Sequence, residues 1–177
     1  MLAVIAGIII CLNSIISLRV PDIIVDARMG TATTAGTVLS LMQLTGIVAG
    51  VGFASLIHVF KKNLLMIMCF GFGLALALIG LSGQLWSLVL GTLLAGFTYS
   101  TGVTSIFYHL SEKIPTNLLN LATSLVLIGC NLGSALSSFF IQLVTPLAPS
   151  NHLLFVWIGA LMVGTGVFAS QLLARTK

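Results

Sequence analysis

Hydroxyls and amides, not charges, are the groups that could do chemistry inside the apolar stretches of this chain. One small-polar patch runs Thr98-Tyr99-Ser100-Thr101-Gly102, with Thr104 and Ser105 behind it. A second runs Gly129-Cys130-Asn131-Leu132-Gly133-Ser134, followed by Ser137 and Ser138. Asn13 and Ser17 at i, i+4, and Thr98, Thr101 and Ser105 at i, i+3, i+7, each share one face of a helix. Such groups hydrogen-bond a solute, a water or a neighbouring helix. A lone Ser or Thr in an apolar helix more often bonds a carbonyl one turn back or joins two helices. An amide has four hydrogen-bonding sites to satisfy and therefore asks for a partner.

Ionisable chemistry is confined to the ends of the apolar stretches. Residues 29–60, 63–111 and 114–174 contain no Asp, Glu, Lys or Arg. With no carboxylate in these runs and their His residues at expected helix ends, the sequence argues against a proton relay within them. His58 and His109 fall at expected helix ends and His152 at a helix start, where they read as interface residues. Cys11, Cys69 and Cys130 are odd in number and sit within apolar segments, so they read as small buried hydrophobes. No metal site and no cofactor is expected. Seven Lys and Arg give a net charge of +4, but they form no basic stripe, so nucleic acid is not an expected partner.

The elements that hold these groups follow from composition. Hydrophobic residues make up 58 % of the 177, charged residues 6 %, and the mean hydropathy is +1.20. A soluble surface needs about 25 % charge, so the chain reads as an all-α integral membrane protein with the bilayer as its solvent. One span takes about 20 residues. The run 63–111 must then hold two spans, broken at Leu81-Ser82-Gly83-Gln84, and the run 114–174 two more, broken at residues 146–151. Six helices are expected, at about 2–20, 35–60, 64–81, 86–109, 118–144 and 152–174, in a single six-helix transmembrane domain over 1–177. Pro21 is expected to limit the first, and the polar residues 111–117 to form a loop that joins the fourth and fifth as a hairpin. A signal peptide is the weaker reading of the first segment, which lacks a basic leader region.

Lys61, Lys62, Lys113, Arg175 and Lys177 gather on one side of this layout, against Arg19 and Arg28 on the other. The positive-inside rule then puts both termini in the cytoplasm of a multi-pass protein of the cell (plasma or inner) membrane. The expected packing residues are Gln43, Gly46 and Gly50 on the second helix and Asn131, Gly133 and Ser134 on the fifth. The spacing Gly46-x-x-x-Gly50 permits close approach, and Asn131 is expected to bond across to Gln43 or the backbone of the second helix. A shift of 87 residues lays Asn13, Ser14 and Ser17 on Ser100, Thr101 and Thr104, and Gly46 on Gly133. An odd number of spans per repeat makes the triplets inverted, a 3+3 plan found in secondary transporters.

Gly96-Phe97, Tyr108-His109-Leu110-Ser111, Pro115, Ala122-Thr123-Ser124-Leu125 and Asn131-Leu132-Gly133-Ser134 carry a resemblance. With the six-helix layout, they resemble the C-terminal half of a major facilitator superfamily transporter of drug-efflux-like type. Lys61-Lys62 matches the family's basic loop, while Ile57 and Phe60 stand where an Asp and a Gly are usual. The resemblance implies alternating-access transport of a small molecule, with a second six-helix half or a second copy as partner. It implies that the first and fourth helices line the cavity, which makes Asn13, Ser17, Thr98, Thr101 and Ser105 the candidate cavity residues. The alternatives are a non-transporting remnant or scaffold, and an enzyme. For the latter, Gly80-Leu81-Ser82-Gly83 is similar to the motif of rhomboid-like intramembrane proteases, with His152 as the base; no catalytic residue is expected here, because Ser82 falls in a turn between spans.

Overall fold

The computed structural model describes residues 2–60, 63–146 and 150–175, with the side chains of the same residues except 152 and 168–175. Six helices follow one another: α1 (Leu2–Asp26), α2 (Ala32–Phe60), α3 (Leu64–Gly80), α4 (Leu85–Lys113), α5 (Thr116–Val144) and α6 (Asn151–Arg175). Among the described residues α1, α2, α4 and α5 are long and apolar enough to cross a bilayer. α3, at 17 residues, is about 25 Å long at 1.5 Å per residue and is the most apolar in its sequence, Leu64-Leu65-Met66-Ile67-Met68 onward.

Three boundaries depart from the sequence expectation, each for a local reason. Pro21 does not stop α1, which continues to Asp26. Proline removes one backbone donor, and the remaining hydrogen bonds of this long helix carry it past the gap. Arg19 also ties across the proline to Asp22 at 3.7 Å. The stop comes at Arg28, whose φ of 53° is left-handed. Its N–H reaches Val25 O at 3.1 Å and the next, Met29 N–H, reaches Ile24 O at 2.9 Å. That double return is a Schellman ending without glycine. Thr31 and Thr34 then open α2 by exchanging backbone-to-hydroxyl bonds at 3.3 and 3.5 Å, a capping box with Thr in the usual Glu place. The polar residues 111–117 are mostly helix: α4 runs to Lys113 and α5 begins at Thr116. Pro115 forces Ile114 into extended backbone (φ −107°, ψ 132°), and the chain turns there within two residues.

The fourth and fifth helices do not pack as a hairpin. α4 lies on α3 and α2, α5 lies on α1, and α4 and α5 touch only slightly. α3 also lies on α6. Relative directions follow from which residues meet. Ala3 stands against Gly129, Gly7 against Gly133 and Arg19 against Thr145, so α1 and α5 are parallel. Met42 against Gly96 and Phe53 against Tyr108 make α2 and α4 parallel. Gly91 against Ile79 and Gly102 against Met68 make α3 and α4 antiparallel, as Gly159 against Gly73 and Gly166 against Cys69 do for α3 and α6. These are the directions of helices alternating up and down.

Ile9, Leu12, Ile15 and Ile16 of α1, Phe72, Leu76 and Ile79 of α3, and Phe155 and Ile158 of α6 build the core. α2 and α5 add only a few residues to it. Only Ala35, Val38, Met42 and Ala49 of α2 are buried, while Ile47, Val51 and Val59 are 69, 83 and 72 % exposed. α5 buries five residues and exposes Leu121, Phe139 and Leu143.

Candidate functional site

The five candidate cavity residues are placed inside the bundle. Thr98, Thr101 and Ser105 are buried on α4, and Asn13 on α1, with Ser17 half-buried. Thr98 donates to Leu94 O at 2.7 Å and Thr101 to Phe97 O at 2.9 Å, so both hydroxyls are satisfied within their own helix. The Thr98 methyl group fills the space above Gly71 of α3, directing that side chain into helix packing. Ser17 donates to the Asn13 carbonyl at 3.3 Å. Asn13 Oδ1 and Ser105 Oγ are different: both are buried without a hydrogen-bond partner. An orphaned buried polar atom costs about 1–3 kcal/mol, so these two are the members of the set with unfilled capacity to bind.

Polar chemistry concentrates instead in two seams. At the α2–α4 seam, Ser100 donates to Gly46 O across the interface at 2.9 Å. The Thr45 hydroxyl is shared between Met42 O at 2.7 Å and Leu93 O of α4 at 3.1 Å. Gly96 lies so close to the Met42 carbonyl that no side chain fits between them. At the α1–α5 seam the backbones themselves meet, Gly133 on the Gly7 carbonyl and Gly129 on Ala3 O. Ser14 and Ser134 add one hydroxyl pair at 3.2 Å.

Gly46, Gly133 and Ser134 thus sit at interhelical seams. Gln43 and Gly50 are exposed, on the part of α2 that faces away from α4. Asn131 is exposed too, and the expected bond to α2 is not formed. Its amide donates to Leu127 O at 3.0 Å in its own helix, because α5 packs on α1 and turns Asn131 outward. Sequence reasoning missed Gly7, Gly96 and Thr45. The signal for the first was present in Ala3-x-x-x-Gly7, a small-x-x-x-small pattern like Gly129-x-x-x-Gly133.

His109 is 2 % exposed, with its ring edge-on to Tyr108. Its Nδ1 is 3.7 Å from Glu112 Oε2, and neither ring nitrogen has a hydrogen-bond partner. Ser82 is buried and donates to Ile79 O at 2.7 Å, which occupies the one proton a nucleophile would have to release to a base. The side chain of His152, the base of the protease alternative, lies outside the described residues, as do Lys61 and Lys62. No group of three or more His, Cys, Asp or Glu among the described residues could hold a metal.

Architecture alone defines the class: an all-helical bundle of six helices, several of them apolar and long enough to span a membrane. No family model matches the chain, and no curated protein or solved structure matches it.

Proposed function

We propose that the chain is a six-helix membrane-spanning unit of a secondary transporter of major-facilitator type, moving a small molecule by alternating access with a second six-helix unit. The observation that carries the reading is the exchange pattern of helix pairs. Substituting 4 for 1, 5 for 2 and 6 for 3 turns the parallel α1–α5 pair into the parallel α4–α2 pair and leaves the antiparallel α3–α6 pair unchanged. For these three pairs that is the pattern two inverted triplets produce; the fourth close pair, α3–α4, departs from it, since its counterpart α6–α1 touches only slightly. The 87-residue shift fits it: it carries Asp26, the end of α1, onto Lys113, the end of α4, and Leu64, the start of α3, onto Asn151, the start of α6.

The membrane part of the reading is supported by the outer helices. Val51, Ile47, Leu44, Phe139 and Leu143 form exposed apolar surface far beyond what a soluble monomer carries. Lipid or a second unit covers it. The turns at residues 27–31 and 81–84 lie on the outer side of the membrane, and the C-terminal end of α2, Asn63 and the turn at 114–115 on the cytoplasmic side, with both termini. Asn13 Oδ1 and Ser105 Oγ, orphaned in the bundle, are the groups with capacity to bond a solute when the unit rocks open.

Two measurements test this. Single cysteines at Thr31 and Gln84, in a background lacking the native three, should react with an impermeant maleimide on intact cells, and cysteines at Asn63 and Asn117 only after permeabilisation. Equal labelling of all four would end the membrane topology. In proteoliposomes, the chain demonstrated to be monomeric should carry no solute counterflow, while paired units should; flux by monomers would end the half-transporter reading.

A further inference from the structure

An apolar groove runs along one stripe of α5. Leu132, Leu136, Phe140 and Val144 recur every four residues down its floor. From Leu132 to Val144 the stripe is about 18 Å long at 1.5 Å per residue. The lower part, 390 Å³, is walled by Val4, Ile8 and Cys11 of α1. The upper part, 540 Å³, is walled by Trp157, Ile158 and Leu161 of α6, and Phe140 borders both. α5 and α6 stand apart here, so the groove opens sideways. Trp157 is 64 % exposed along it.

A cation stands at the upper end. Arg19 of α1 reaches over to donate from Nη2 to Thr145 Oγ1 at 3.3 Å, one residue beyond Val144 of the groove floor. Thr145 itself donates to Ile141 O. The Arg19 side chain is 25 % exposed and Asp22 Oδ2 lies 3.7 Å from Nη1, while Nε is buried with no partner. The guanidinium is therefore held by one hydroxyl and one carboxylate; the buried Nε is closed to a ligand, and the two terminal nitrogens carry more N–H donors than these two contacts use.

We propose that this groove is a phospholipid site, with one acyl chain laid along the α5 stripe and the phosphodiester at Arg19. The chemistry matches at both ends. A hydrocarbon chain suits an apolar slot of this length that opens laterally, and a phosphodiester oxygen suits a guanidinium with an unfilled donor. Asp22 takes up part of the positive charge, which favours a singly charged phosphodiester over a dianionic phosphate. Volumes of this size are those of ordinary ligand sites, about 300–1,000 Å³. The proposal rests on the membrane reading above but not on transport.

The chain contains two tryptophans, Trp86 and Trp157, so Trp86→Phe leaves Trp157 as the only reporter. This variant is titrated in detergent with phosphatidylglycerol brominated in its acyl chains, and with brominated diacylglycerol, which lacks the phosphate. Trp157 fluorescence should fall to a plateau with phosphatidylglycerol at a clearly lower half-saturation than with diacylglycerol. Arg19→Gln should raise the phosphatidylglycerol half-saturation about tenfold, the worth of one charge-assisted hydrogen bond, and erase the preference. Arg19→Lys should restore part of it. Ala160→Phe, which fills the groove from α6, should abolish the plateau, with helix content and thermal midpoint checked alongside. Quenching that rises without saturation, identically in all variants, would overturn the lipid site. So would absence of quenching in a chain that runs as a dimer, which would mean that a second copy covers the groove. A chain that alkaline carbonate strips from membranes would instead fail the membrane reading itself.

Discussion

The two parallel helix pairs, α1–α5 and α2–α4, solve the same packing problem with different chemistry. On the membrane reading proposed above, the hydrophobic effect contributes little between helices, and association comes from close van der Waals contact and interhelical hydrogen bonds. The α1–α5 pair relies on contact. Gly7, Gly129 and Gly133 bring backbone against backbone, and the single hydroxyl pair, Ser14 with Ser134, lies at an exposed position. The α2–α4 pair relies on bonds. Ser100 and Thr45 each place a hydroxyl on the other helix's carbonyl, and Gly96 supplies the close approach that lets them reach. Around Gly7, Gly129 and Gly133 the first seam should be sensitive to added volume and nearly indifferent to polarity, the bond from Arg19 to Thr145 lying at its far end. The second should be sensitive to both.

Added volume gives the largest expected effect. A side chain at Gly133 would collide with the Gly7 backbone, and one at Gly96 with the Met42 carbonyl; neither obstacle is the movable end of a side chain. Gly133→Leu and Gly96→Leu should each cost at least about 3 kcal/mol, the upper end for overpacking, and lower the thermal midpoint in detergent by a similar large margin. If Gly133→Leu were tolerated while Gly96→Leu were not, the contact-only account of the α1–α5 seam would fail.

Removing hydroxyls separates the seams. Interhelical hydrogen bonds in membrane proteins average about 0.6 kcal/mol and reach about 1.7. Ser100→Ala and Thr45→Val should each lower stability by an amount in that range. Ser134→Ala, at the exposed pair, should change it by less than either. Thermal unfolding of the three variants in one detergent decides the order, and an equal loss at Ser134 would give the α1–α5 seam a polar component it is not expected to have.

The order of these residues shows what the sequence could and could not say. Six helices were legible because charge-free runs and breaks depend only on chain-local chemistry, and all six starts fall within three residues of expectation: Leu2, Ala32, Leu64, Leu85, Thr116 and Asn151. The end of α1 was not legible, because a single proline costs a backbone bond and a ring clash that a long helix can absorb, and the true stop, Arg28, is a non-glycine residue in a left-handed turn. Partner choice was not legible either. Asn131 looked like an interhelical bond because an amide in an apolar run needs a partner. Which way it faces depends on α5 lying on α1, and that is set by glycines at 129 and 133 one helix away from any charge. Thr98 and Thr101 carried the same ambiguity between cavity and packing, and the carbonyls one turn back took both.

The smallest expected effect is also the sharpest test of how the α2–α4 seam was read. The motif Gly46-x-x-x-Gly50 invites the view that both glycines serve close approach. At Gly46 a methyl group would meet Ser100 Cβ at 3.5 Å and Gly96 O at 3.6 Å, ordinary contacts, while at Gly50 it would meet nothing within 4 Å. The residue of this seam that must lack a side chain is Gly96, on the other helix. Gly50→Ala should therefore be neutral or stabilising, by up to about 1 kcal/mol from helix propensity. Gly46→Ala should fall between it and Gly96→Ala. Thermal midpoints of the three single variants, measured as monomers in detergent, give the order directly. A clear loss of stability at Gly50 in the monomer would mean that α2 meets a neighbour on its outer face within the same chain. The same loss seen only in an assembled pair would place that neighbour in the second unit.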